Sequence, residues 1–204
     1  MWGYMADKLK EMYLEYMKLD GHRVEYLLEN GVTIEFTYKQ EYFGHLLGLH
    51  KLTDIQIIQF WQDKSNLKVN LKSVIRQIKK EQLKDADIKN SSFYPRIKER
   101  YENFSYNTLT SLNYTDAIID FDASLLGSKL KSDYLLYELN DSGGYNHMGI
   151  AAEPLSGERY AETFFIEPSN KYLAGQTVVK IIKFTLYDKA NRVIVTDTFK
   201  TGTP

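Results

Sequence analysis

The segment YFGHLLGLHKLTDI, residues 42–55, contains two of the four histidines of this 204-residue chain. His45 and His50 are five positions apart, and Lys51 follows directly. An imidazole can take up or deliver a proton near neutral pH, and a neighbouring ammonium group can hold a phosphate. These residue types therefore suggest acid–base chemistry on a phosphate-containing substrate. The alternative is that one histidine packs in the core and the other caps a helix end.

The spacing of the two histidines disfavours a metal site. On a continuous α-helix, five residues rotate by about 500°, which leaves His45 and His50 about 140° apart. No glutamate lies between them, unlike in the HExxH motif of zinc enzymes. A metal site would need a helix break at Gly48 and a third ligand from elsewhere, so we predict no bound metal and no other cofactor.

Composition limits the classes of protein to which the chain can belong. It has no cysteine, which excludes disulfides, thiolate zinc sites and cysteine nucleophiles. No apolar run approaches the roughly 20 residues of a membrane-spanning helix. Charges interrupt residues 1–21, so this segment is typical of an amphipathic helix and not of a signal peptide. We expect a cytoplasmic protein with no membrane association.

Positive charge is concentrated in one part of the chain, although the net charge is −1. Residues 64–100 contain eleven lysines and arginines against four acidic residues. Such an excess can bind phosphate groups, but it is also typical of a solvated helix surface. The 16 tyrosines and 10 phenylalanines add rings that can stack on bases or on a partner protein.

Hydrophobic periodicity predicts helices in the first half of the chain. Thr53 and Gln56 match a capping box, and Ser92 is the predicted N-cap of one long helix. The dipeptide Asn30-Gly31 predicts a hairpin between two strands. The predicted helices are residues 4–19, 41–50, 54–64, 70–83 and 93–112, and the hairpin is residues 23–38.

After about residue 113 the pattern changes to short runs of β-branched and aromatic residues separated by turn sequences. Successive strands with short turns indicate an antiparallel meander. We predict one α+β domain over residues 1–204, mainly helical to residue 113 with the hairpin included, and then a sheet over 114–204 packed against the helices. The predicted strands are TDAIIDFD, SDYLLYEL, YNHMGIAA, RYAETFFIE, QTVVKIIKFTLYD and NRVIVTDTF.

Five segments, in this order, resemble a family of phage- and mobile-element-associated domains of the barnase/EndoU/colicin/RelE-like nuclease group. They are YFGHLLGLHKLTDI, YPRIKERYENF, SDYLLYEL, ERYAETFFIEP and KYLAGQTVVKIIKF. The resemblance extends over residues 34–187, and HLLGLHKL is its most specific part. It implies helices followed by a four-stranded antiparallel sheet, and RNA cleavage without a metal or cofactor.

In that chemistry a ribose 2′-OH attacks the adjacent phosphate, while a base, an acid and nearby cations assist. The resemblance implies site residues in the matching segments, and Glu162 is added as a candidate because it departs from the family pattern. The candidate catalytic residues are His45, His50, Glu162 and Tyr134, and the candidate substrate-binding residues are Lys51, Arg96, Arg100, Gln176 and Thr177. Each also has a structural interpretation: Tyr134 can pack across strands, and the two arginines, four apart on one helix face, can pair with acidic neighbours.

One segment departs from the family pattern. A basic residue is expected ahead of a Ser-Phe-Phe-like strand, where this chain has Ala161-Glu162-Thr163-Phe164-Phe165. An acidic side chain in place of a phosphate-binding cation weakens substrate binding. Either Glu162 is the general base, or this chain has kept the fold and lost catalysis. His147, beside a predicted turn, is expected to be exposed.

The sequence supports two hypotheses. The first is a metal-independent endoribonuclease-like toxin or effector of phage or mobile-element origin, which acts on RNA and has a cognate antitoxin. The second is a catalytically inactive binding or inhibitor protein on the same scaffold, which blocks a host protein or nucleic acid. In the first, a histidine and Glu162 converge in a cleft beside basic residues; in the second, they are dispersed or buried.

Overall fold

A computed structural model describes residues 7–63, 65, 68–109, 114–128 and 130–199. The fold is α+β, as predicted, and the chain divides into two compact units. A helical unit consists of Met1–Leu19 and Phe43–Leu109, and a sheet unit consists of Asp20–Tyr42 and Thr110–Pro204. The predicted hairpin therefore belongs to the sheet unit, although it lies between helices in the sequence.

The helical unit is built from short helices. No helix in the described parts of the chain is long and apolar enough to cross a membrane. Two 3-10 turns, Leu49–Lys51 and Tyr94–Arg96, lie between the α-helices. The α-helices of the described residues are α1 (Lys8–Met17), α2 (Phe43–Leu46), α3 (Gln56–Gln62), α4 (Leu71–Lys79), α5 (Asp85–Asn90), α6 (Lys98–Glu102) and α7 (Tyr106–Leu109).

Helix α1 forms one wall of the core of the helical unit. Its N-cap is Asp7, whose carboxylate accepts a hydrogen bond from Leu9 N at 3.1 Å. The Phe43 ring of α2 packs on Tyr13 and Tyr16, with ring centroids 5.3 Å and 5.5 Å apart. Each such aromatic pair contributes about 0.5–1.5 kcal/mol beyond the area that it buries. The buried residues of α1 have helical spacing: Leu9, Met12, Tyr13 and Tyr16.

Two predictions about these helices are wrong. Helix α3 begins at Gln56 with Ile55 at its N-cap and no side-chain cap, so Thr53 does not form the predicted capping box. The single helix predicted after Ser92 is instead a 3-10 turn followed by α6 and α7. Helix α6 ends at Glu102, and the side-chain amide of its C-cap residue, Asn103, donates to Glu99 O at 2.7 Å. Polar side chains of this kind compete with the backbone for helical hydrogen bonds. Residues 110–112 of the predicted helix lie outside the described part.

Within the described residues, the sheet unit contains eight antiparallel strands, and all six strands predicted after residue 113 are present. The hairpin turn at Asn30-Gly31 is also present, with Gly31 at φ 84°. The strands are β1 (Arg23–Leu28), β2 (Thr33–Thr37), β3 (Asp116–Ile119), β4 (Tyr134–Leu139), β5 (Tyr145–Ala152), β6 (Arg159–Glu167), β7 (Thr177–Tyr187) and β8 (Val193–Thr198).

Strand β7 connects the hairpin to the predicted meander. Strands β3 to β6 form a meander, and β7 then returns to pair with β3 through residues 177–180. Residues 181–187 of β7 pair with β1, and residues 183–187 pair also with β8. The resulting order is β2-β1-β7-β3-β4-β5-β6, with β8 beside β7. The hairpin thus extends the same sheet, which the sequence pattern did not indicate.

The first and last strands of this sheet, β2 and β6, contact each other. The sheet is therefore nearly closed. Tyr42, just after β2, stacks on Tyr160 of β6 with ring centroids 4.2 Å apart. Its hydroxyl donates to Glu153 at 2.6 Å. Inside the sheet, Tyr26 of β1 and Phe184 of β7 are fully buried with ring centroids 5.1 Å apart. Near-closure leaves little exposed sheet edge between β2 and β6.

His147 is completely buried on β5, so the prediction that it is exposed is wrong. It lies among aromatic rings, with Phe165 at 4.8 Å and Tyr172 at 5.5 Å between centroids. Neither ring nitrogen has a hydrogen-bond partner within the described residues. Burial without a partner disfavours the charged imidazolium and lowers the pKa of His147 to about 3.

We predict that His147 makes the protein less stable in acid. Below pH 6.5 the unfolded chain binds a proton at this residue that the folded state excludes until about pH 3. The free energy of unfolding should therefore fall by about 1.4 kcal/mol for each pH unit across this window. Between pH 7.5 and pH 5, the free energy of unfolding should fall by about 2 kcal/mol less in His147→Phe than in the wild type, as measured by urea unfolding. Parallel stability–pH curves for the variant and the wild type would contradict this account.

Candidate active site in the helical unit

The histidine segment folds as α2 followed by the 3-10 turn at Leu49–Lys51, with Gly48 between them. Gly48 has φ 81° and ψ 12°, a left-handed conformation that glycine adopts without steric cost. The chain changes direction at this residue. As a result the rings of His45 and His50 lie 4.9 Å apart between centroids. The predicted separation around a continuous helix is wrong because the helix ends before Gly48.

Helix α6 packs directly over this turn. A Cβ atom placed on Gly48 would lie 2.8 Å from Ile97 Cγ2 and 3.0 Å from Arg100 Cδ. Only a glycine therefore allows the close approach. The Arg100 side chain is 6% exposed, and its Nη1 donates to His45 O at 3.3 Å. A buried guanidinium is thus held against the backbone that carries the first histidine.

A second link joins the segment after Lys51 to the segment before Arg96. The carboxylate of Asp54 accepts a hydrogen bond from Ser91 Oγ at 2.6 Å. It also accepts hydrogen bonds from Ser92 N at 2.8 Å and from Ser92 Oγ at 2.9 Å. These three bonds position both segments that carry basic residues.

Five residues of the helical unit form what we call the basic cluster: His45, His50, Lys51, Arg96 and Arg100. Lys51 is half-buried, and burial together with the charges of Arg100 and Arg96 lowers its pKa to about 8. His50 is also half-buried, and burial lowers its pKa to about 3, with further contributions from His45, Arg100 and Lys51. Apart from the His45 imidazole, the groups that act on these two residues are the cations Lys51, Arg96 and Arg100, so an anion such as phosphate is the complementary ligand.

His45 and His50 have different surroundings within the cluster. His45 is exposed, and its ring packs edge-on against Trp61 with centroids 5.2 Å apart. Burial of its inner side lowers the pKa of His45 below 6.5. His45 is therefore a neutral, accessible proton acceptor at pH 7. His50 Nδ1 is buried without a hydrogen-bond partner in the described part of the chain.

The prediction that Arg96 and Arg100 share one helix face is wrong. Arg96 ends the 3-10 turn, is exposed, and lies over the Phe93 ring at 4.5 Å from its centroid. Arg100 lies in α6 and is buried. The break between them falls at Ile97, which leaves Arg96 accessible to a ligand from solution.

The other predicted site residues lie in the sheet unit. Strands β5 and β6 pair Gly149 with Thr163 and Ile150 with Ala161, so Glu162 is the extra residue of a β-bulge. Its carboxylate accepts a hydrogen bond from Ser132 Oγ at 2.7 Å.

Tyr134 and the two late residues have local surroundings of their own. Arg159 lies over the Tyr134 ring at 5.1 Å and donates to its hydroxyl at 3.4 Å. Gln176 exchanges two hydrogen bonds with the backbone of Asp122, at 3.1 Å and 3.0 Å. Thr177 begins β7 and is exposed. Arg159 was not among the predicted site residues, although it lies in the segment ERYAETFFIEP that contributes to the family resemblance.

The described residues contain no group of three or more histidines and carboxylates that could hold a metal ion. Of the nine predicted site residues, the structure gathers five in the basic cluster. The remaining four belong to the sheet unit.

A family model described as phage-Barnase-EndoU-ColicinE5/D-RelE like nuclease4 matches residues 8–196. The match includes every residue of the basic cluster. It also includes α1 and most of β8, which lie outside residues 34–187, the range of the resemblance described above. No curated protein and no solved structure matches the chain significantly.

We predict that Gly48→Ala destabilises the protein more than an alanine at another left-handed glycine. Gly31 has φ 84°, and a Cβ atom added there would have nothing within 4 Å, so Gly31→Ala should cost only the conformational strain of about 1–2 kcal/mol. Gly48→Ala should cost a further ~1–3 kcal/mol, because Ile97 and Arg100 must move. Urea unfolding followed by circular dichroism measures both, and equal losses would show that the close approach is unimportant.

Proposed function

Because the chain belongs to the phage-Barnase-EndoU-ColicinE5/D-RelE like nuclease4 family, we propose that its basic cluster cleaves RNA without a metal ion. One observation carries this proposal. An accessible imidazole that is neutral at pH 7 lies in the same cluster as an ammonium group whose pKa is lowered to about 8. A proton acceptor and a proton donor with separated pKa values near neutrality are what acid–base catalysis requires.

The proposed reaction is an internal transesterification of RNA. His45 removes the proton from a ribose 2′-OH, and the 2′-oxygen forms a bond to the adjacent phosphorus. The bond from phosphorus to the 5′-oxygen of the next nucleotide breaks, and Lys51 donates its proton to that oxygen. The products are a 2′,3′-cyclic phosphate and a 5′-hydroxyl, so atoms and protons balance.

Arg96 and Arg100 provide the positive charge that this reaction needs. The phosphorane carries one more negative charge than the starting phosphodiester, so fixed cations stabilise it more than the substrate. Arg96 is exposed and can contact a phosphate oxygen directly. Arg100 is buried, and it contributes through its field and by holding the His45 backbone.

His50 is a positioning residue in this scheme. With a pKa of about 3 it stays neutral through the physiological range, and it cannot serve as a proton donor there. Its ring lies 4.9 Å from that of His45 and orients the neighbouring imidazole. Glu162, Tyr134, Gln176 and Thr177 are given no step in this scheme, and the first three contact Ser132, Arg159 and Asp122.

We expect the cleaving protein to act as a toxin or effector of a phage or mobile element, which agrees with the family to which the chain belongs. A protein that binds RNA without turnover is the alternative. The two are distinguished by whether bound RNA is cleaved.

We predict that the purified protein cleaves labelled RNA in excess EDTA. His45→Ala and Lys51→Ala should each lower the rate by about 10²-fold or more, as expected for loss of a general base or acid. Lys98→Ala is the matched control, because Lys98 is an exposed lysine of the same unit outside the cluster. It should cleave at nearly the wild-type rate.

Three outcomes separate the hypotheses in this experiment. Loss of cleavage in EDTA, restored by a divalent metal, would overturn metal independence. Wild-type cleavage that persists in folded His45→Ala and Lys51→Ala would place the chemistry elsewhere. RNA binding without cleavage by a folded wild type would support the inactive binding protein.

We predict a bell-shaped pH dependence for kcat/KM of cleavage. The rate should rise with pH as His45 loses its proton below pH 6.5, and should fall above about pH 8 as Lys51 loses its own. Lys51→Ala should abolish the alkaline fall and leave a slow reaction. A wild-type rate that stays constant from about pH 7 to well above the pKa of Lys51, after subtraction of uncatalysed hydrolysis, would exclude Lys51 as the acid.

A further inference from the structure

Trp61 lies beside the proposed base, in the last turn of α3. Its ring centroid is 5.2 Å from that of His45, with the two rings inclined at 66°. The residue is half-buried, so part of its surface remains accessible to solvent. An accessible indole next to a proton acceptor has no role in the transesterification described above.

Gly44 allows the indole to reach this position. A Cβ atom at Gly44 would lie 2.7 Å from Leu71 Cδ1 and 3.1 Å from Trp61 Cη2. The six-membered ring of Trp61 therefore rests against the backbone of α2, one residue before His45. This contact fixes the indole on the same short helix that carries the proposed base.

A second aromatic ring lies at another member of the basic cluster. Phe93 is half-buried, and the Arg96 guanidinium lies over its ring at 4.5 Å from the centroid. Aromatic rings thus accompany both exposed members of the cluster, His45 and Arg96. Cations that hold a backbone and aromatic rings that stack on bases are the combination found in proteins that bind single-stranded nucleic acid.

We propose that the substrate is single-stranded RNA, and that a base next to the cleaved phosphate stacks on Trp61. This inference rests on the proposed function, because it places the base by reference to His45. In a duplex both faces of each base are covered by neighbouring bases, so only an unpaired base can stack on an indole. Such stacking holds the ribose beside His45 and tolerates any base, since each has an aromatic face.

The binding step can be measured without cleavage. The chain has two tryptophans, so Trp2→Phe leaves Trp61 as the sole indole reporter. Single-stranded DNA lacks the 2′-OH and cannot be cleaved by this route, and it should quench Trp61 fluorescence on binding. A duplex of the same sequence, at equal phosphate concentration and salt, should bind through its phosphates with little quenching. Equal quenching by both, or none at saturating single strand, would overturn the proposal.

Variants of α3 separate stacking from packing. Trp61→Leu should weaken single-strand binding by about 5- to 150-fold, the range expected for loss of one base–aromatic stack. Trp61→Phe should restore most of the affinity. Phe60→Leu is the matched control, because Phe60 is 38% exposed and points about 100° away around the same helix. Phe60→Leu should bind like the wild type.

Cleavage assays on the same variants keep this proposal distinct from the proposed function. Preferential cleavage of single strands that is lost in Trp61→Leu and recovered in Trp61→Phe supports both. Cleavage of duplex and single strand at equal rates overturns the stacking role and leaves the nuclease intact. Selective quenching by single strands with no RNA cleavage supports stacking and removes the nuclease. Circular dichroism and urea unfolding verify that each variant is folded.

Discussion

The packing of α6 over Gly48 is the constraint on which the rest of the basic cluster depends. Gly48 takes a left-handed conformation and leaves no room for a side chain beneath Ile97 and Arg100. This single residue ends α2, turns the chain, and allows a buried guanidinium to bind the His45 carbonyl. As a result the imidazoles of His45 and His50 lie close together. On a continuous helix their five-residue spacing would separate them. The site is therefore a property of one tight turn and not of a continuous helix.

Bringing like charges together is unfavourable unless an anion is bound. Burial and the mutual repulsion of the cluster lower the pKa of Lys51 to about 8 and that of His50 to about 3. A folded protein maintains such an arrangement when packing and hydrogen bonds elsewhere outweigh the repulsion, and the bonds of Asp54 to Ser91 and Ser92 join the two segments that carry the basic residues. Perturbed pKa values concentrated in one place are typical of functional sites. A bound phosphate group would reduce this repulsion, because its charge is opposite to that of the cluster.

The predicted site residues of the sheet unit make local structural contacts. Glu162 occupies a β-bulge and bonds to Ser132, whose hydroxyl would clash with any side chain at Gly149. The local structure thus accommodates the acidic side chain at the position where the sequence departs from the family pattern. Gln176 joins its loop to the Asp122 backbone. His147 is buried among aromatic rings, and its ring nitrogens have no partner in the described part of the chain.

The sequence alone determined the α+β class, the strands after residue 113, the Asn30-Gly31 hairpin and the family. The fold class, the strands and the hairpin depend on local propensity and on the alternation of apolar side chains, which act over a few residues. The family is identified from the five segments quoted above. The sequence did not determine that the His45 and His50 rings meet, since a continuous helix would have placed them about 140° apart. Tertiary structure alone decided that the helix breaks at Gly48, that Arg100 is buried and Arg96 exposed, and that Trp61 contacts His45. It also decided that β7 joins the hairpin to the meander and that His147 is buried. Each of these follows from packing between segments far apart in sequence, where burial and close approach override the local pattern.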